Sequence, residues 1–237
     1  MRGCFVTGTD TGVGKTVVAV SLLRALARAG RPAVGMKPVA AGCESTAGGL
    51  RNADALALQR AGGRRLPYPQ VNPVALEPPM APHLAAERAG LTLCAATLAR
   101  QAHALPAAGE YLIVEGAGGW RVPLNDTETM ADLAVAIGLP VVLVVAIRLG
   151  CLNHALLTAG AIAAEGLPLA GWVAVEVEPD GDAVAEQIAT LERRLGTPRL
   201  GTISWRGLSF DGDASTDLCV AWLTAGEAGA GRKPGPA

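Results

Sequence analysis

Features that would assign the chain to several common classes of protein are scarce in this sequence. Aromatic residues make up 3% and charged residues 17% of its 237 residues, and the formal net charge is -1. Without a basic excess, we expect neither a nucleic-acid partner nor an electrostatic role at a membrane surface. The longest strongly apolar stretch, residues 140–147, is too short to span a bilayer. No charged-then-apolar signal precedes Gly8, so we also expect no export.

Cysteines that could pair are also lacking. The five cysteines are odd in number and form no close pair in the sequence: Cys4, Cys43, Cys94, Cys151 and Cys219. This usage is typical of free thiols in a reducing compartment. We therefore expect a cytoplasmic protein with neither a disulfide framework nor a zinc site.

Lysine is nearly absent, with three lysines against 17 arginines. A compositional bias towards arginine explains the arginine count but not where the lysines stand. Lys15 and Lys37 follow the first two predicted strands, whereas Lys233 lies in a tail rich in Gly, Ala and Pro. Lysine carries a compact point charge and arginine a planar, forked one. The two positions therefore indicate places where a compact cation is needed.

Short apolar runs alternate with helical patterns along the chain, and half of the residues are apolar. Strands are predicted at 4–7, 33–36, 111–114, 141–147, 170–175 and 200–203, and helices at 15–29, 54–60, 84–104, 152–165 and 183–195. This alternation predicts an α/β fold, a doubly wound and mostly parallel sheet with helices on both faces. We expect one domain over residues 1–224, with a proline-rich loop at 62–82 and a disordered tail at 225–237.

A glycine-rich loop joins the first strand to the first helix. It begins at Gly8, contains Gly12 and Gly14, and ends in Lys15 and Thr16. Backbone N–H groups and a helix N-terminus can converge there on an anion, with the lysine at the β/γ-phosphates and the threonine hydroxyl on Mg²⁺. Five residues separate the outer glycines, so the loop is a variant of the P-loop. The alternative is a glycine-rich turn that binds nothing.

Further charged residues are predicted at the same edge of the sheet, where ligands gather in such folds. Lys37 precedes Pro38, and Glu115 ends a buried strand. The run that follows Glu115 gives the backbone room for a bound ligand and consists of Gly116, Ala117, Gly118 and Gly119. The carboxylate could hold Mg²⁺ directly or through water. The alternative for Lys37 is a solvated surface lysine. Asp54 could be no more than a helix-start acid favoured by the helix dipole.

A second possible anion cradle follows the most apolar strand, at Gly150, Cys151, Leu152 and Asn153. Two cradles at one sheet edge suggest two anionic ligands. Nothing near Cys151 marks it as an activated nucleophile.

Together these motifs resemble one family closely, the dethiobiotin synthetases of the P-loop NTPase superfamily. The matching segments are VTGTDTGVGKT at 6–16, GMKPVAAG at 35–42, RNADALAL at 51–58, VEGAGGW at 114–120, LGCLNHALLT at 149–158 and LAGWV at 169–173. The resemblance implies an ATP-dependent cyclo-ligase of biotin synthesis that is a homodimer and uses Mg²⁺. It would convert 7,8-diaminononanoate, CO₂ and ATP to dethiobiotin, ADP and phosphate, through a carbamate and a carbamic-phosphoric anhydride.

The resemblance also implies roles for particular residues, with Lys15 and Lys37 as the catalytic cations. The phosphates would be held by Gly12, Val13, Gly14, Lys15, Thr16 and Val17, and the metal by Thr16, Asp54 and Glu115. The remaining nucleotide contacts would come from Gly116, Ala117, Gly118, Val175, Ser204, Trp205 and Arg206. The diamine would be bound by Thr11, Lys37, Ala41, Gly150, Cys151, Leu152 and Asn153.

This sequence departs from the family pattern at four positions. Ala41 stands where serine is common, Val175 where asparagine reads the adenine edge, Ser204 where proline is common, and Gln187 where some relatives have tyrosine. The sequence therefore leaves undecided how the base is selected and which residues complete the substrate pocket.

Two rival functions share the loop. One is a partner-controlled ATPase switch of the chromosome-partitioning or metallocluster type, which usually carries an extra lysine where Asp10 stands here. The other is a relative that binds nucleotide without catalysis. Retention of Lys15, Thr16, Lys37, Asp54 and Glu115 together argues against the second.

Overall fold

A six-stranded parallel sheet forms the centre of the computed structural model, which describes residues 1–179, 181, 183–205 and 218–224. The strands are β1 (Arg2–Gly8), β2 (Ala33–Met36), β3 (Val39–Ala40), β4 (Glu44–Thr46), β5 (Gly49–Arg51), β6 (Val74–Ala75), β7 (Tyr111–Glu115), β8 (Val141–Ile147), β9 (Leu169–Glu176) and β10 (Arg199–Ile203). The order in the sheet is β10-β9-β8-β1-β7-β2, with every neighbouring pair parallel. The predicted α/β fold class is confirmed.

Helices connect the strands of the sheet. They are α1 (Lys15–Arg28), α2 (Ala53–Ala61), α3 (Tyr68–Val71), α4 (Pro82–Arg88), α5 (Ala95–Ala104), α6 (Met130–Ile137), α7 (Cys151–Ala164), α8 (Val184–Leu195) and α9 (Ala221–Thr224). Strands β3 and β6 pair in parallel, and β4 and β5 form a short antiparallel hairpin. Among the described helices, none is long and apolar enough to cross a membrane.

The sheet is covered on both faces because its central strands are apolar throughout. Every residue of β7 and β8 is buried. Successive residues of β8 point to opposite sides: Val142 and Val144 belong to the main core, whereas Val145 and Ile147 pack in a second cluster with Leu191 of α8. Such continuous apolar strands are typical of parallel sheets between two helical layers.

The structure corrects three details of the sequence-based assignment. The single helix predicted at 84–104 is two helices, α4 and α5, separated by a turn in which Gly90 has a φ of 68°. The predicted loop at 62–82 contains α3 and β6, and α6 was not predicted. The single domain over 1–224 stays a prediction. Arg206 and the tail at 225–237, predicted to be disordered, lie outside the described residues.

The order of the strands brings the predicted site residues to one edge. Strands β1, β7 and β2 are neighbours, with Val6 opposite Glu115 and Met36 opposite Val114. Because parallel strands end at the same edge, the loop after β1, the residue after β2 and the last residue of β7 lie side by side.

Candidate active site

The loop between β1 and α1 presents unpaired backbone donors to a cavity. Gly12 and Gly14 have φ values of 74° and 93°, a conformation that favours glycine. Gly14 caps α1 without a side-chain acceptor, so the first N–H groups of the helix remain available to an anion. Lys15 Nζ donates to Asp10 O at 2.7 Å, which folds the lysine back over the loop. This geometry fits a phosphate-binding loop.

Four polar side chains from separate elements meet beside this loop. Lys37 Nζ lies 2.7 Å from Asp54 Oδ2 and 2.6 Å from Glu115 Oε1. Thr16, in the first turn of α1, donates its hydroxyl to the same Glu115 Oε1 at 2.7 Å. Lys37 is not a solvated surface lysine, because its side chain is only 7% exposed. Asp54 starts α2, as the dipole argument requires, but its carboxylate also faces the site.

Burial and mutual charge shift the pKa values of these groups. Burial disfavours the charged form of Lys37, but the charges of Glu115 and Asp54 raise its pKa overall. Burial likewise disfavours ionised Asp54, but the Lys37 ammonium lowers its pKa. Burial raises the pKa of Glu115 more than Lys37 lowers it, and burial lowers the pKa of Lys15 to about 8. Ligands of opposite charge at Glu115 and at Lys15 would relieve both penalties.

The donor set near Glu115 fits a hard divalent cation. Glu115 Oε2 is buried and has no hydrogen-bond partner among the described residues. The Thr16 hydroxyl and the partly exposed Asp54 carboxylate add oxygen atoms close by. Within the described part of the chain, no group of three or more His, Cys, Asp or Glu residues is placed to hold a metal. Mg²⁺ suits such a site, because it commonly takes one or two carboxylates and completes its shell with water and phosphate.

Two adjoining cavities share Lys37 and Asp54. The first, of about 250 Å³, is lined by the phosphate loop together with Lys37, Asp54 and Glu115. The second, of about 520 Å³, is mostly apolar. It is lined by Thr11, Lys37, Ala40, Ala41, Asn52, Asp54, Pro79, Met80, Ala81, Pro82, Ala117, Gly118 and Val122. An anionic ligand in the first cavity and an apolar chain in the second would therefore meet at Lys37.

Gly118 lies at the boundary of the two cavities and cannot easily be another residue. Its φ is 63°, and a Cβ atom there would lie 2.7 Å from Val122 Cγ2. Ala117 lines only the second cavity, and Gly116, which is buried, packs against the ring of Phe5. The backbone after β7 thus lies close to both cavities.

The second predicted anion cradle lies outside both cavities. Gly150 has a φ of 91° and precedes α7 without a side-chain cap. Leu149 beside it is 99% exposed. Burial raises the pKa of Cys151, so its thiol is not activated, and the thiol donates to Gln187 Oε1 at 2.9 Å. Leu152 is partly buried and Asn153 exposed. The cradle therefore faces outwards.

Comparison with known proteins assigns the family. A family model described as an AAA domain matches residues 2–209. An ATP-dependent dethiobiotin synthetase of Pseudomonas paraeruginosa is 55% identical over 206 residues, which cover 86% of this chain and 90% of that protein. The chain belongs to the dethiobiotin synthetase family. Synthetases of Xanthomonas oryzae pv. oryzae and Cellvibrio japonicus are 53% and 50% identical, cover 85% and 92% of this chain, and are themselves covered to 90% and 95%.

Solved structures at lower identity show the fold that this synthetase-family chain shares. Chloroplast FtsY from Physcomitrella patens superposes with a TM-score of 0.50 at 18% identity, covering 94% of this chain and 64% of FtsY. A chain of the MinC:MinD cell division complex of Aquifex aeolicus gives 0.53 at 14% identity, covering 87% and 86%. At these identities the likeness extends to the fold alone.

The residues that the synthetase family pattern assigns to the base lie away from the phosphate loop. Val175 is fully buried near the end of β9, so its side chain lines neither cavity. Ser204 and Trp205 follow β10 and are exposed. A base-reading role for these residues stays a prediction.

Sequence reasoning missed a buried polar pair that supports the synthetase-family site, Tyr68 and Asn72. Asn72 Nδ2 donates to Lys37 O at 2.8 Å, and the Tyr68 hydroxyl accepts from Asn52 N at 2.8 Å. These partners are 35 and 16 residues apart in the sequence, and no local pattern indicates such contacts. Asn52 itself carried a signal, since asparagine is a preferred helix cap and it caps α2 here.

Proposed function

We propose that the protein is an ATP-dependent dethiobiotin synthetase, a ligase that converts 7,8-diaminononanoate, CO₂ and ATP to dethiobiotin, ADP and phosphate. The observation that carries the proposal is the position of Lys37. It lies between two carboxylates at the junction of the cavity lined by the phosphate loop and an apolar cleft. The family membership of the chain supports the same reaction.

The nucleotide would bind by its phosphates in the smaller cavity. The N–H groups at Gly12, Gly14 and the start of α1 would hold the β- and γ-phosphates, with Lys15 reaching over them. Lys15 would exchange the carbonyl of Asp10 for a phosphate oxygen. A bond between an ammonium and an anionic phosphate oxygen is stronger than one between an ammonium and a neutral carbonyl, which favours the exchange.

The diamine would lie in the larger cleft. Its alkyl chain fits the apolar wall formed by Ala40, Pro79, Met80 and Val122, which places an amine near Lys37 and Asp54. Ala41 also lines the cleft but offers no hydroxyl. Any polar contact at that position would come from the backbone or from water.

In the proposed sequence, one amine attacks CO₂ and loses a proton to give a carbamate. A carbamate oxygen then attacks the γ-phosphorus, and ADP leaves. The second amine attacks the carbonyl carbon of the mixed anhydride, phosphate leaves, the amine gives up a proton to solvent, and the ring closes. The carbamate and the γ-phosphate are both anionic, so the ammonium groups of Lys15 and Lys37 would reduce their repulsion as they approach.

In the proposed reaction, Mg²⁺ is the metal ion that binds together with ATP. Thr16, Asp54 and Glu115 would hold it, and the buried, unpaired Oε2 atom of Glu115 is the feature that fits it best. When bound, it would supply positive charge to the β- and γ-phosphate oxygens.

We also propose that the active unit is a homodimer. The cradle at Gly150–Asn153 faces outwards beside the exposed side chains of Leu149 and Leu157, where a partner's substrate carboxylate could bind. Light scattering during turnover tests the assembly. A fully active monomer would overturn this part of the proposal.

Mixing two inactive variants tests whether the cradle serves the partner's site. Lys37→Ala removes the catalytic ammonium, and Gly150→Val distorts the cradle, since valine cannot readily adopt the φ of 91° at this position. Random re-pairing makes half of the dimers mixed, each with one intact site, so we expect about one quarter of wild-type activity. Mixtures that stay inactive would argue for a cradle acting within its own subunit.

The decisive experiment measures phosphate release with and without the diamine and bicarbonate. We expect release only when both are present, together with dethiobiotin that carries label from ¹³C-bicarbonate. Hydrolysis of ATP without the diamine would favour the partner-controlled ATPase switch instead. A cytoplasmic location remains part of the proposal and is consistent with the five free thiols.

A further inference from the structure

The two groups that meet at the centre of the candidate site stand on separate pieces of backbone. Lys37 follows the last residue of β2, and Asp54 lies in the first turn of α2. Their side chains meet at 2.7 Å, although 17 residues separate them in the sequence. Where the two groups stand relative to each other therefore depends on how the two backbones are placed.

A buried pair of side chains, Tyr68 and Asn72, is bonded to both pieces of backbone. Asn72 Nδ2 donates to Lys37 O at 2.8 Å and to Val74 O at 3.1 Å. The Tyr68 hydroxyl accepts from Asn52 N at 2.8 Å and donates to Asn72 Oδ1 at 2.9 Å. The two residues thus form one chain of hydrogen bonds between the two backbones.

The connection continues to Asp54 through the cap of α2. Asn52 Oδ1 accepts from the backbone N–H of Asp54 at 3.1 Å and of Ala55 at 3.3 Å. Asn52 is therefore held at its own N–H by Tyr68 and in turn holds the N–H of Asp54. Lys37 is held similarly on both sides, because its N–H donates to Val71 O at 2.8 Å.

The hydrogen bonds of Tyr68 and Asn72 fix the orientation of both side chains. Asn72 is 2% exposed, and its amide uses two donors and one acceptor in the bonds above. The reversed amide would set its oxygen against two carbonyl oxygens. Burial raises the pKa of Tyr68, so its hydroxyl keeps the proton that it donates to Asn72. The guanidinium of Arg51 covers the ring, 4.3 Å from its centroid.

We propose that Tyr68 and Asn72 are positioning residues that hold the Lys37 ammonium and the Asp54 carboxylate at the separation needed for phosphoryl transfer. Neither residue lines the two cavities. Their effect is exerted through the backbone at Lys37 and at Asn52. This inference rests on the proposed function and adds two residues to its machinery.

The chain offers a matched control for the key substitution. Tyr68→Phe removes the hydroxyl and leaves the ring and its packing in place. Tyr111 is the only other tyrosine in the sequence and, like Tyr68, is buried, but it begins β7, at the end of the strand away from Glu115. Tyr111→Phe therefore removes a buried hydroxyl remote from the site.

The experiment compares kcat, KM for MgATP and thermal stability of both variants with wild type. For Tyr68→Phe we expect kcat to fall about tenfold, because small misplacements of catalytic groups are costly. Its KM for MgATP should change less than about twofold, because the phosphate loop is not bonded to the pair. For Tyr111→Phe, kcat should stay within about twofold of wild type, whatever the melting temperature of the variant.

A second variant and a double-mutant cycle complete the test. Asn72→Ser breaks the branch to Lys37 but leaves the bond between Tyr68 and Asn52, and it should also lower kcat. If Tyr68→Phe does not fold, the kcat of Asn72→Ser tests the proposal. In a Lys37→Ala background, the residual single-turnover rate should respond much less to Tyr68→Phe, because the group being positioned is gone.

Three results would overturn the proposal. The first is a folded variant, Tyr68→Phe or Asn72→Ser, that keeps kcat within about twofold of wild type. The second is an unchanged effect of Tyr68→Phe in the Lys37→Ala background. The third is a wild-type protein that releases no diamine-dependent phosphate, which overturns the proposed function as well and so is distinguishable from the other two.

Discussion

Replacing Lys37 by arginine keeps the positive charge but changes its shape at the centre of the site. An ammonium has three donors, and Lys37 directs two of them at Asp54 and Glu115, 2.7 and 2.6 Å away. The third remains for the reacting carbamate or phosphate. A planar guanidinium pairs readily with two carboxylates through its fork, and it is bulkier in a position where the side chain is only 7% exposed.

The expected loss follows from the lost donor. Removing one preorganised donor to a developing oxyanion costs about 2.7–4 kcal/mol. A partial replacement by a guanidinium N–H would reduce this cost, so we take tenfold in kcat, about 1.4 kcal/mol, as the lower limit and about a thousandfold as the upper one. The affinity for MgATP should change little, because the phosphate loop and Lys15 are unaltered.

The assay is steady-state phosphate release with saturating diaminononanoate, bicarbonate and MgATP. Lys37→Ala serves as the control for complete loss of the cation, and thermal unfolding shows whether each variant is folded. Near-normal turnover by a folded Lys37→Arg variant would remove Lys37 from the mechanism. It would also refute the argument that this sequence keeps lysine where a compact cation is required.

Three further predictions follow from the site. Because the pKa of Lys15 is about 8, the free protein carries this charge below pH 8 and loses it above. Anionic phosphates favour the charged form, so Kd for MgATP should be flat below pH 8 and rise above it. Calorimetry in buffers of different ionisation enthalpy should detect the proton that is taken up on binding. Gly118→Ala should lower the free energy of unfolding by about 1–2 kcal/mol in a urea titration, because alanine is strained at a φ of 63° and its Cβ approaches Val122. The wild-type enzyme should discriminate weakly between ATP, CTP and GTP in kcat/KM, because the Val175 side chain is apolar and fully buried and so gives a base no polar contact. A wild-type preference of a thousandfold or more, about 4 kcal/mol, would contradict this.

The six strands of the central sheet were predictable because buried parallel strands carry a strong apolar signal, whereas the short strands β3, β4, β5 and β6 were not predicted. The bounds predicted for β2 and β8 are those observed. The helix predicted at 84–104 was wrong because its apolar spacing continues through a turn, where Gly90 adopts a left-handed conformation. Lys15, Lys37 and Glu115 were predictable as a group, since each stands at the end of a strand or in the loop after it, and neighbouring parallel strands end at one edge.

The hydrogen bonds through which Tyr68 and Asn72 support the site were not predictable from the sequence. Tyr68 and Asn72 lie in a segment whose prolines indicate a loop, and their hydrogen bonds join residues far apart in the chain. Hydrophobic periodicity carries no information about such contacts, which depend on tertiary packing. The cap formed by Asn52 is different, because capping is a local interaction with a local preference.

The two lysines and two acids at the site have a consequence for the ligand-free chain as it folds. Two lysines, Lys15 and Lys37, balance two acids, Asp54 and Glu115, so the four side chains together carry no excess formal charge of either sign. An uncompensated buried charge would be strongly destabilising, whereas a paired one is tolerated. Folding of this part of the chain therefore needs less stabilisation from a bound nucleotide or metal than it would with an unpaired lysine or acid.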